Sequence, residues 1–231
     1  MGNPVKIKFL YHSGFCVETR KNLLLFDYYQ GEAEGLVKST PKQVVIFCSH
    51  SHPDHFNPVI LDWQKDRPDI HYIFSRDIRP GQRVENLHYL VPDETIETAG
   101  LKIKAFNSTD IGVAFWVEDE GTRIFHAGDL NWWYWIDTPE EMAKAEREFK
   151  EEIEIIKSED IDIAFFPVDP RLEKNYSAGA EYFIEKVGPK VFIPMHFADS
   201  PEITDEFRNA MKGCPSRIII LNQKGQEEIL L

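Results

Sequence analysis

The feature that most constrains this 231-residue chain is the hexapeptide His-Ser-His-Pro-Asp-His at residues 50–55. It follows an apolar run, Val44 to Cys48, that is typical of a strand buried on both faces. Imidazole and carboxylate groups are suitable ligands for zinc, iron or manganese. A chance match to this pattern has odds of roughly one in a thousand. These odds disfavour the alternative, a polar turn whose histidines cap a helix beginning near Asn57.

One loop cannot enclose an ion, so a metal site needs ligands from elsewhere in the chain. Asp129 and His196 each come just after an apolar strand-like run. Gly128 lets the backbone turn sharply and aim the Asp129 carboxylate. Strand ends are where an open α/β sheet normally builds its site. The sequence therefore predicts a metal centre at one edge of a sheet.

The hydrophobic patterns predict strands in the first half of the chain and alternating helices and strands in the second half. The first three strands, at 5–10, 15–19 and 22–27, form an antiparallel meander. Further strands are predicted at 44–48, 71–74, 101–106, 113–118, 122–126, 161–166, 190–194, 217–221 and 227–231. A helix begins at Pro139 with Thr138 as its N-cap and Glu141 completing a capping box. Two more helices are predicted at 177–187 and 201–211, and without a linker we expect one domain over residues 1–231.

The charge of the chain limits its partners. It has 26 Lys and Arg residues against 39 Asp and Glu residues, a formal net charge of −13. Such a protein repels phosphate backbones and anionic lipids, so we expect no nucleic-acid and no membrane partner. The apolar runs are too short to cross a bilayer, and no signal peptide is expected at the start. Three cysteines without a CxxC spacing indicate a reducing, cytoplasmic setting.

The hexapeptide, the Gly128-Asp129 pair and the segment Pro194-Met195-His196 together resemble the metallo-β-lactamase-fold hydrolases over almost all of the chain. The opening Tyr-His-Ser-Gly-Phe at residues 11–15 and the arrangement between Pro167 and His196 are most similar to the ascorbate-6-phosphate lactonase-like branch. The resemblance implies an α+β fold, an αββα four-layer sandwich. It also implies a metal-dependent hydrolase with one or two divalent ions, zinc first and iron or manganese as alternatives.

The resemblance also assigns roles to individual residues. Asp27 matches the family's first acidic motif, which supports the metal loop from behind rather than binding metal. Asp129 bridges two ions. The remaining ligands are His50 and His52 for the first ion, and Asp54, His55 and His196 for the second.

The chain departs from the family pattern at one ligand. The family normally supplies another histidine about a dozen residues ahead of the Gly-Asp turn, where this chain has Asn-Ser-Thr-Asp at residues 107–110. His71 and His88 come too early to replace it. We therefore expect a weakened first metal position, completed by Asp110, by Ser108 or by water. Asp110 is the first choice, and a role as acceptor for a ligand histidine is an equal alternative.

Two neighbouring divalent ions can activate a water molecule for hydrolysis, and Asp54 can serve as the general base. If only the second position fills, a mononuclear hydrolase remains possible. Arg171 follows a strand and can bind an anionic group of the substrate or form a structural salt bridge. Trp132, in the aromatic segment at residues 131–135, either lines the substrate pocket or anchors the segment in the core or a dimer contact. His12 lines the pocket mouth or is simply packed.

The leading hypothesis is a cytoplasmic hydrolase of a small anionic ester, lactone or phosphodiester. The second hypothesis is a nuclease similar to ribonuclease Z, which carries the same loop as residues 50–55. The acidic net charge and the lack of a basic insertion that could bind RNA disfavour this hypothesis. The third hypothesis is a degenerate member that binds metal without turnover, which the missing histidine suggests. A homo-oligomer is compatible with the aromatic segment.

Overall fold

Two seven-stranded sheets form the centre of the computed structural model, which describes residues 4–230. The first sheet consists of β1 (Val5–Tyr11), β2 (Gly14–Glu18), β3 (Asn22–Phe26), β4 (Gln43–Cys48), β5 (His71–Ser75), β6 (Leu87–Leu90) and β14 (Glu227–Leu230). The second consists of β7 (Thr95–Thr98), β8 (Leu101–Asn107), β9 (Val113–Asp119), β10 (Thr122–His126), β11 (Ile163–Pro167), β12 (Val191–Met195) and β13 (Arg217–Ile218). The spatial orders are β14-β1-β2-β3-β4-β5-β6 and β13-β12-β11-β10-β9-β8-β7.

Side-chain alternation along the strands separates two cores. All five residues of β3 are buried. Successive side chains point to opposite faces of the sheet, and both faces are covered at this strand. Leu24 and Phe26 belong to the core between the two sheets, and Leu23 and Leu25 belong to a second core on the outer face of the first sheet. Aromatic rings join the sheets across the inner core. The ring of Phe15 lies 4.5 Å from that of Phe165, centroid to centroid.

Helices cover both outer faces. The first sheet is covered by α1 (Glu34–Ser39) and a 3₁₀ helix, Pro58–Lys65. The second is covered by α2 (Pro139–Ile156), α3 (Ala178–Val187) and α4 (Glu202–Ala210), and a second 3₁₀ helix spans Pro170–Asn175. The four layers are therefore α, β, β and α, which confirms the predicted fold class.

Most elements agree with the predictions. Those not predicted are α1, the two 3₁₀ helices and the edge strands β6 and β7, and the strand predicted at 217–221 ends at Ile218. Leu231, the last residue of the predicted final strand, lies outside the described residues. Only half of the predicted capping box forms. The Thr138 hydroxyl accepts the Glu141 N–H, but the Thr138 N–H donates to Asp137.

The helices between residues 4 and 230 do not include one with the length and apolar character that a bilayer crossing requires.

Candidate metal centre

The residues predicted to bind metal meet at one end of the sheets, because each follows the carboxyl end of a strand. The metal loop, residues 49–55, follows β4, while Asp129 follows β10 and His196 follows β12. The backbone turns at Gly128 and His196 with φ angles of 54° and 67°. This left-handed region is costly for residues other than glycine and clusters at functional sites. The strained backbone conformation of His196 therefore directs its side chain toward the candidate metal centre.

The metal loop is held from behind by Asp27, which is fully buried directly after β3. One carboxylate oxygen accepts the Ser49 N–H at 2.7 Å. The other accepts the Ser49 hydroxyl at 2.6 Å and the His55 Nδ1–H at 2.7 Å. Burial alone would raise the pKa of Asp27, but the His126 and His55 rings lower it below its ordinary value. Because Nδ1 of His55 is engaged, its Nε2 is left for the opposite side.

Asp129 lies between the two halves of the histidine cluster. Its Oδ1 is 3.0 Å from His55 Nε2 and 3.1 Å from His196 Nε2. Its Oδ2 is 3.4 Å from His50 Nε2, and that nitrogen is 3.0 Å from His52 Nδ1. Each oxygen of one buried carboxylate therefore faces a different group of imidazoles.

Several buried atoms at this point have no hydrogen-bond partner among residues 4–230. They include Oδ1 of Asp129, Nε2 of His55 and Nε2 of His196, whose mutual contacts lack hydrogen-bond geometry. Buried polar atoms in proteins almost always have a partner, because an unsatisfied one costs about 1–3 kcal/mol. Imidazole nitrogens and a carboxylate oxygen that converge without hydrogen bonds to one another suit a cation, and oxygen and nitrogen donors suit a divalent one. The residues present therefore fit a divalent metal.

The charges in the cluster are strongly coupled. Burial would lower the pKa of His55, but the carboxylates of Asp129 and Asp27 outweigh burial and raise the pKa to about 10. The pKa of His196 is also raised, because Asp129 and Asp169 outweigh its burial. A metal ion that binds these rings must displace their protons.

Asp110, the predicted substitute for the missing histidine, reaches the cluster. Ligand atoms of His52, Asp110 and Asp129 lie within 4.8 Å of one another. The approach depends on Gly112, with φ of 84°, where a Cβ atom would lie 2.1 Å from the carbonyl oxygen of Ser49. The other candidate, Ser108, is buried, and its hydroxyl accepts the Asp110 N–H at 3.2 Å.

Asp169 is a buried carboxylate that the sequence analysis passed over. One of its oxygens accepts the His196 Nδ1–H at 3.0 Å. The carboxylate also accepts the Arg171 N–H and the Arg171 Nε–H, each at 2.9 Å. Burial would raise the pKa of Asp169, but His196 and Arg171 lower it to about 2. Its position after β11, beside Arg171 in the same Asp-Pro-Arg tripeptide, was the available signal.

A cavity of about 360 Å³ opens onto the cluster, and its lining includes Asp54, Asp110, Asp129 and the Arg171 side chain. Trp133 and Trp135 form part of its wall, with nearly parallel rings 6.0 Å apart. The Arg171 guanidinium lies 6.0 Å from the first ring and 5.9 Å from the second. Arg171 thus forms the salt bridge to Asp169, the second of its two predicted roles, and also lines the cavity.

Trp132 and His12, two candidates for lining the substrate pocket, are not among the residues that line this cavity. Trp132 does not line the cavity, because its ring packs on the core and stacks on Tyr134 at 4.8 Å. Of its two predicted roles, Trp132 therefore takes the second, which is to anchor the segment in the core, and Trp133 and Trp135 line the cavity in its place. His12 lies deeper than the pocket mouth. It is 6% exposed, with its Nε2 3.3 Å from Asp54 Oδ2.

Comparison with known proteins places this geometry in context. The profile of the beta-lactamase superfamily domain matches residues 6–196. The UPF0173 metal-dependent hydrolase of Thermococcus kodakarensis is 25% identical over 240 residues, covering 96% of this chain and 98% of that protein. The corresponding protein of Pyrococcus abyssi is 23% identical, with the same coverage. A solved metallo hydrolase from the archaeon Ignicoccus hospitalis superimposes with a TM-score of 0.69 at 16% identity, covering 99% of both chains, which shows a shared fold.

Proposed function

The chain belongs to the metallo-β-lactamase superfamily, and from this premise we propose that this metal-dependent hydrolase cleaves a small anionic ester, lactone or phosphodiester at the cluster around Asp129. One observation carries the proposal. Buried donor atoms of Asp129, His55 and His196 converge without hydrogen-bond partners among the described residues. The whole chain is proposed to act as one domain, because both sheets contribute to the cluster.

The proposed ligands fall into two sets that share Asp129. The first set is His50, His52 and Asp129, with Asp110 in place of the absent histidine. The second set is Asp54, His55 and His196, with the other oxygen of Asp129. Zinc is the proposed metal, and iron and manganese accept the same nitrogen and oxygen donors.

Bound divalent ions would activate a water molecule and stabilise the negative charge on the attacked oxygen. Asp54 is suited to accept the proton of that water. Its side chain lines the cavity and is 45% exposed. The neighbouring His12 ring holds the pKa of Asp54 well below its ordinary value, so the carboxylate is unprotonated at neutral pH. A general base must be in this form to act.

Arg171 is proposed to bind the anionic group of the substrate. Asp169 fixes its Nε side, while the side chain as a whole is 59% exposed and lines the cavity. A cation held in this way selects a carboxylate or phosphate on the substrate. The rings of Trp133 and Trp135 flank it and shield that contact from water. The net charge of −13 continues to favour a small substrate over RNA.

The test combines metal analysis with an activity screen. Purified protein reconstituted with zinc, iron or manganese is assayed against lactone, phosphodiester and thioester panels, with Asp54→Ala as the blank. We expect bound metal and hydrolysis in one panel, and loss of most bound metal and of all hydrolysis in His55→Ala and in His196→Ala. His88→Ala, which removes a histidine remote from the cluster, is the matched control and keeps both. Full metal content and activity in the His55 and His196 variants would sink the proposal, and bound metal without turnover in any panel would favour a degenerate member.

A further inference from the structure

His12 is fixed at the end of β1 before any ligand arrives. Its backbone has a φ of 56°, and the register of β1 against β2 shifts just before it, between Phe9 and Tyr11. The His12 carbonyl accepts the His196 N–H at 3.1 Å. This bond joins the end of β1, in the first sheet, to the end of β12, in the second. Both residues that it joins have positive φ angles, so the same strained junction holds both rings.

The His12 ring is buried among residues of the second ligand set. Its centroid lies 4.0 Å from that of His196 and 5.6 Å from that of His55. The side chain is 7% exposed. Neither ring nitrogen has a hydrogen-bond partner among the described residues, although Nε2 lies 3.3 Å from an oxygen of Asp54.

An imidazole that only fills space at this position would leave buried nitrogens unsatisfied, which native structures avoid. A substrate-binding role also fits poorly, because His12 is not among the residues that line the cavity. A cation explains the placement better. One ligand atom from each of His12, Asp54, His55 and His196 lies within 4.8 Å of the other three. Metal bonds of about 2.0–2.2 Å place two ligand atoms at most roughly 4.4 Å apart, so small side-chain movements would suffice.

We infer that His12 is an additional protein ligand of the ion held by Asp54, His55 and His196. The inference rests on the proposed function, since it presupposes that the cluster binds metal. It gives the second ion three imidazoles and the carboxylates of Asp54 and Asp129, whereas the first has two imidazoles, the other oxygen of Asp129 and Asp110. The second position then binds its ion more tightly and fills first. In this arrangement Asp54 holds the ion while remaining at the cavity surface.

The experiment measures metal affinity rather than turnover. Metal-free wild-type, His12→Ala and His12→Gln proteins are titrated with Co²⁺ against a chelating indicator, and the visible spectrum of bound Co²⁺ is recorded. In wild type we expect two affinities. In both His12 variants we expect the tighter one to fall by more than roughly 100-fold, the weaker one to stay unchanged, and the Co²⁺ spectrum to change. Removal of a residue that only orients a ligand typically costs 10- to 100-fold, so the loss separates a ligand from a positioning residue.

Two controls complete the design. Tyr11→Phe alters the neighbouring side chain, whose hydroxyl donates to Asp199, and should leave both affinities at the wild-type values. Added imidazole should partly restore tight binding in His12→Ala. Should the variants fail to fold, paramagnetically shifted ring protons of His12 in Co²⁺-loaded wild type decide the matter. Unchanged affinities and spectra, or an unshifted His12 ring, overturn the inference and leave the proposed function standing. Wild type that binds no metal overturns both.

Discussion

At the residue scale, the centre depends on carboxylates that each serve more than one partner. Asp27 fixes the metal loop and His55, Asp129 faces both ligand sets, and Asp169 holds His196 and Arg171. The buried carboxylate of Asp169 contacts both His196, a proposed metal ligand, and Arg171, which is proposed to bind the anionic group of the substrate. The geometry of the metal and the position of the bound substrate are therefore linked by a single side chain.

Replacing Asp169 by Asn should damage both functions at once. The amide can no longer act as a charged acceptor for both His196 and Arg171, so we expect metal affinity to fall by about 10- to 100-fold. We also expect a higher KM for the anionic substrate found in the screen, with a smaller change in kcat. Chelator competition and steady-state kinetics measure the two effects. Wild-type metal affinity in Asp169→Asn would mean that the contact does not orient His196.

The sequence predicted the residues of the cluster where they lie close together in the chain or directly after an apolar strand. The loop at 50–55, Asp129 and His196 all have such a signal. The depth of His12 and the placement of Trp132 away from the cavity have none, and the position of Asp169 after a strand does not reveal its contacts with His196 and Arg171. These features depend on how the loops that follow different strands pack against one another. No local sequence pattern encodes that packing.

At the element scale, the segment 107–113 can cross the metal loop only because residue 112 lacks a side chain. A Cβ atom at Gly112 would lie 2.1 Å from the Ser49 carbonyl oxygen and 2.5 Å from His50 Cβ. The segment must therefore shift if that position carries a larger residue, and Asp110 would move with it.

The substitution Gly112→Ala should consequently weaken metal binding. It should also lower the free energy of unfolding by more than an alanine at a positive φ angle does alone. Gly121→Ala is a matched control, because Gly121 has the same kind of backbone, with φ of 85°, but nothing within 4 Å of the new Cβ. We expect about 1–2 kcal/mol of destabilisation in the control and a larger loss in Gly112→Ala. Urea unfolding compares the two. If the two variants lose the same free energy of unfolding and Gly112→Ala still binds metal, the close contact of Gly112 with the metal loop has no effect on stability or metal binding.

A second junction joins the starts of β10, β11 and β12. Asp162 accepts the Arg123 N–H and Nε–H at 2.9 Å and pairs with Lys190 at 2.7 Å. Burial would raise the pKa of Asp162, but these contacts lower it to about 2. Because the folded pKa is lower than the unfolded one of about 3.9, the contact stabilises the fold above about pH 4. That stability is lost as the pH falls toward 2.

For Asp162→Asn we expect a loss of about 1–2 kcal/mol in the free energy of unfolding at pH 7, allowing for partial exposure. The difference from wild type should shrink between pH 4 and pH 3. Asp160→Asn is the control, since Asp160 also contacts Arg123 but its side chain is 82% exposed. We expect at most about 0.5 kcal/mol there. Denaturant unfolding at each pH gives the values, and a pH-independent difference would contradict the assignment.

Elements with a continuous apolar run were predictable, because such runs indicate burial on both faces. β3, β4 and β11 are of this kind. The edge strand β6 and the six-residue α1 fully bury one side chain each, and the edge strand β7 fully buries none, so their sequences carry little hydrophobic signal. Their places are set by hydrogen bonds to neighbouring strands and by packing that only the assembled sheet provides.

At the scale of the whole molecule, the proposed ligands link the two sheets. The metal loop extends from the first sheet, whereas Asp129 and His196 extend from the second. Bound ions would therefore connect two layers that otherwise depend on the apolar core and on contacts such as the bond between His12 and His196.

Metal removal should accordingly lower the melting temperature. A ligand present at about 100 times its Kd stabilises the folded state by about 2.7 kcal/mol. For a chain of this size that corresponds to a shift of roughly 5–10 °C. Calorimetry of zinc-loaded and chelator-treated protein measures it. His55→Ala should show a smaller shift with zinc, and a wild-type melting temperature that is insensitive to zinc would contradict a structural contribution from the metal.

The pairing of β14 with β1 has a consequence for biosynthesis. Val5 lies opposite Leu230, so one side of β1 has no neighbour until the ribosome has made nearly the whole chain. At about 5–20 residues per second, this takes roughly 10–40 s. During that time the nascent chain exposes a strand edge to other polypeptides, and such edges promote aggregation. We therefore expect translation speed and chaperone supply to influence the yield of folded protein.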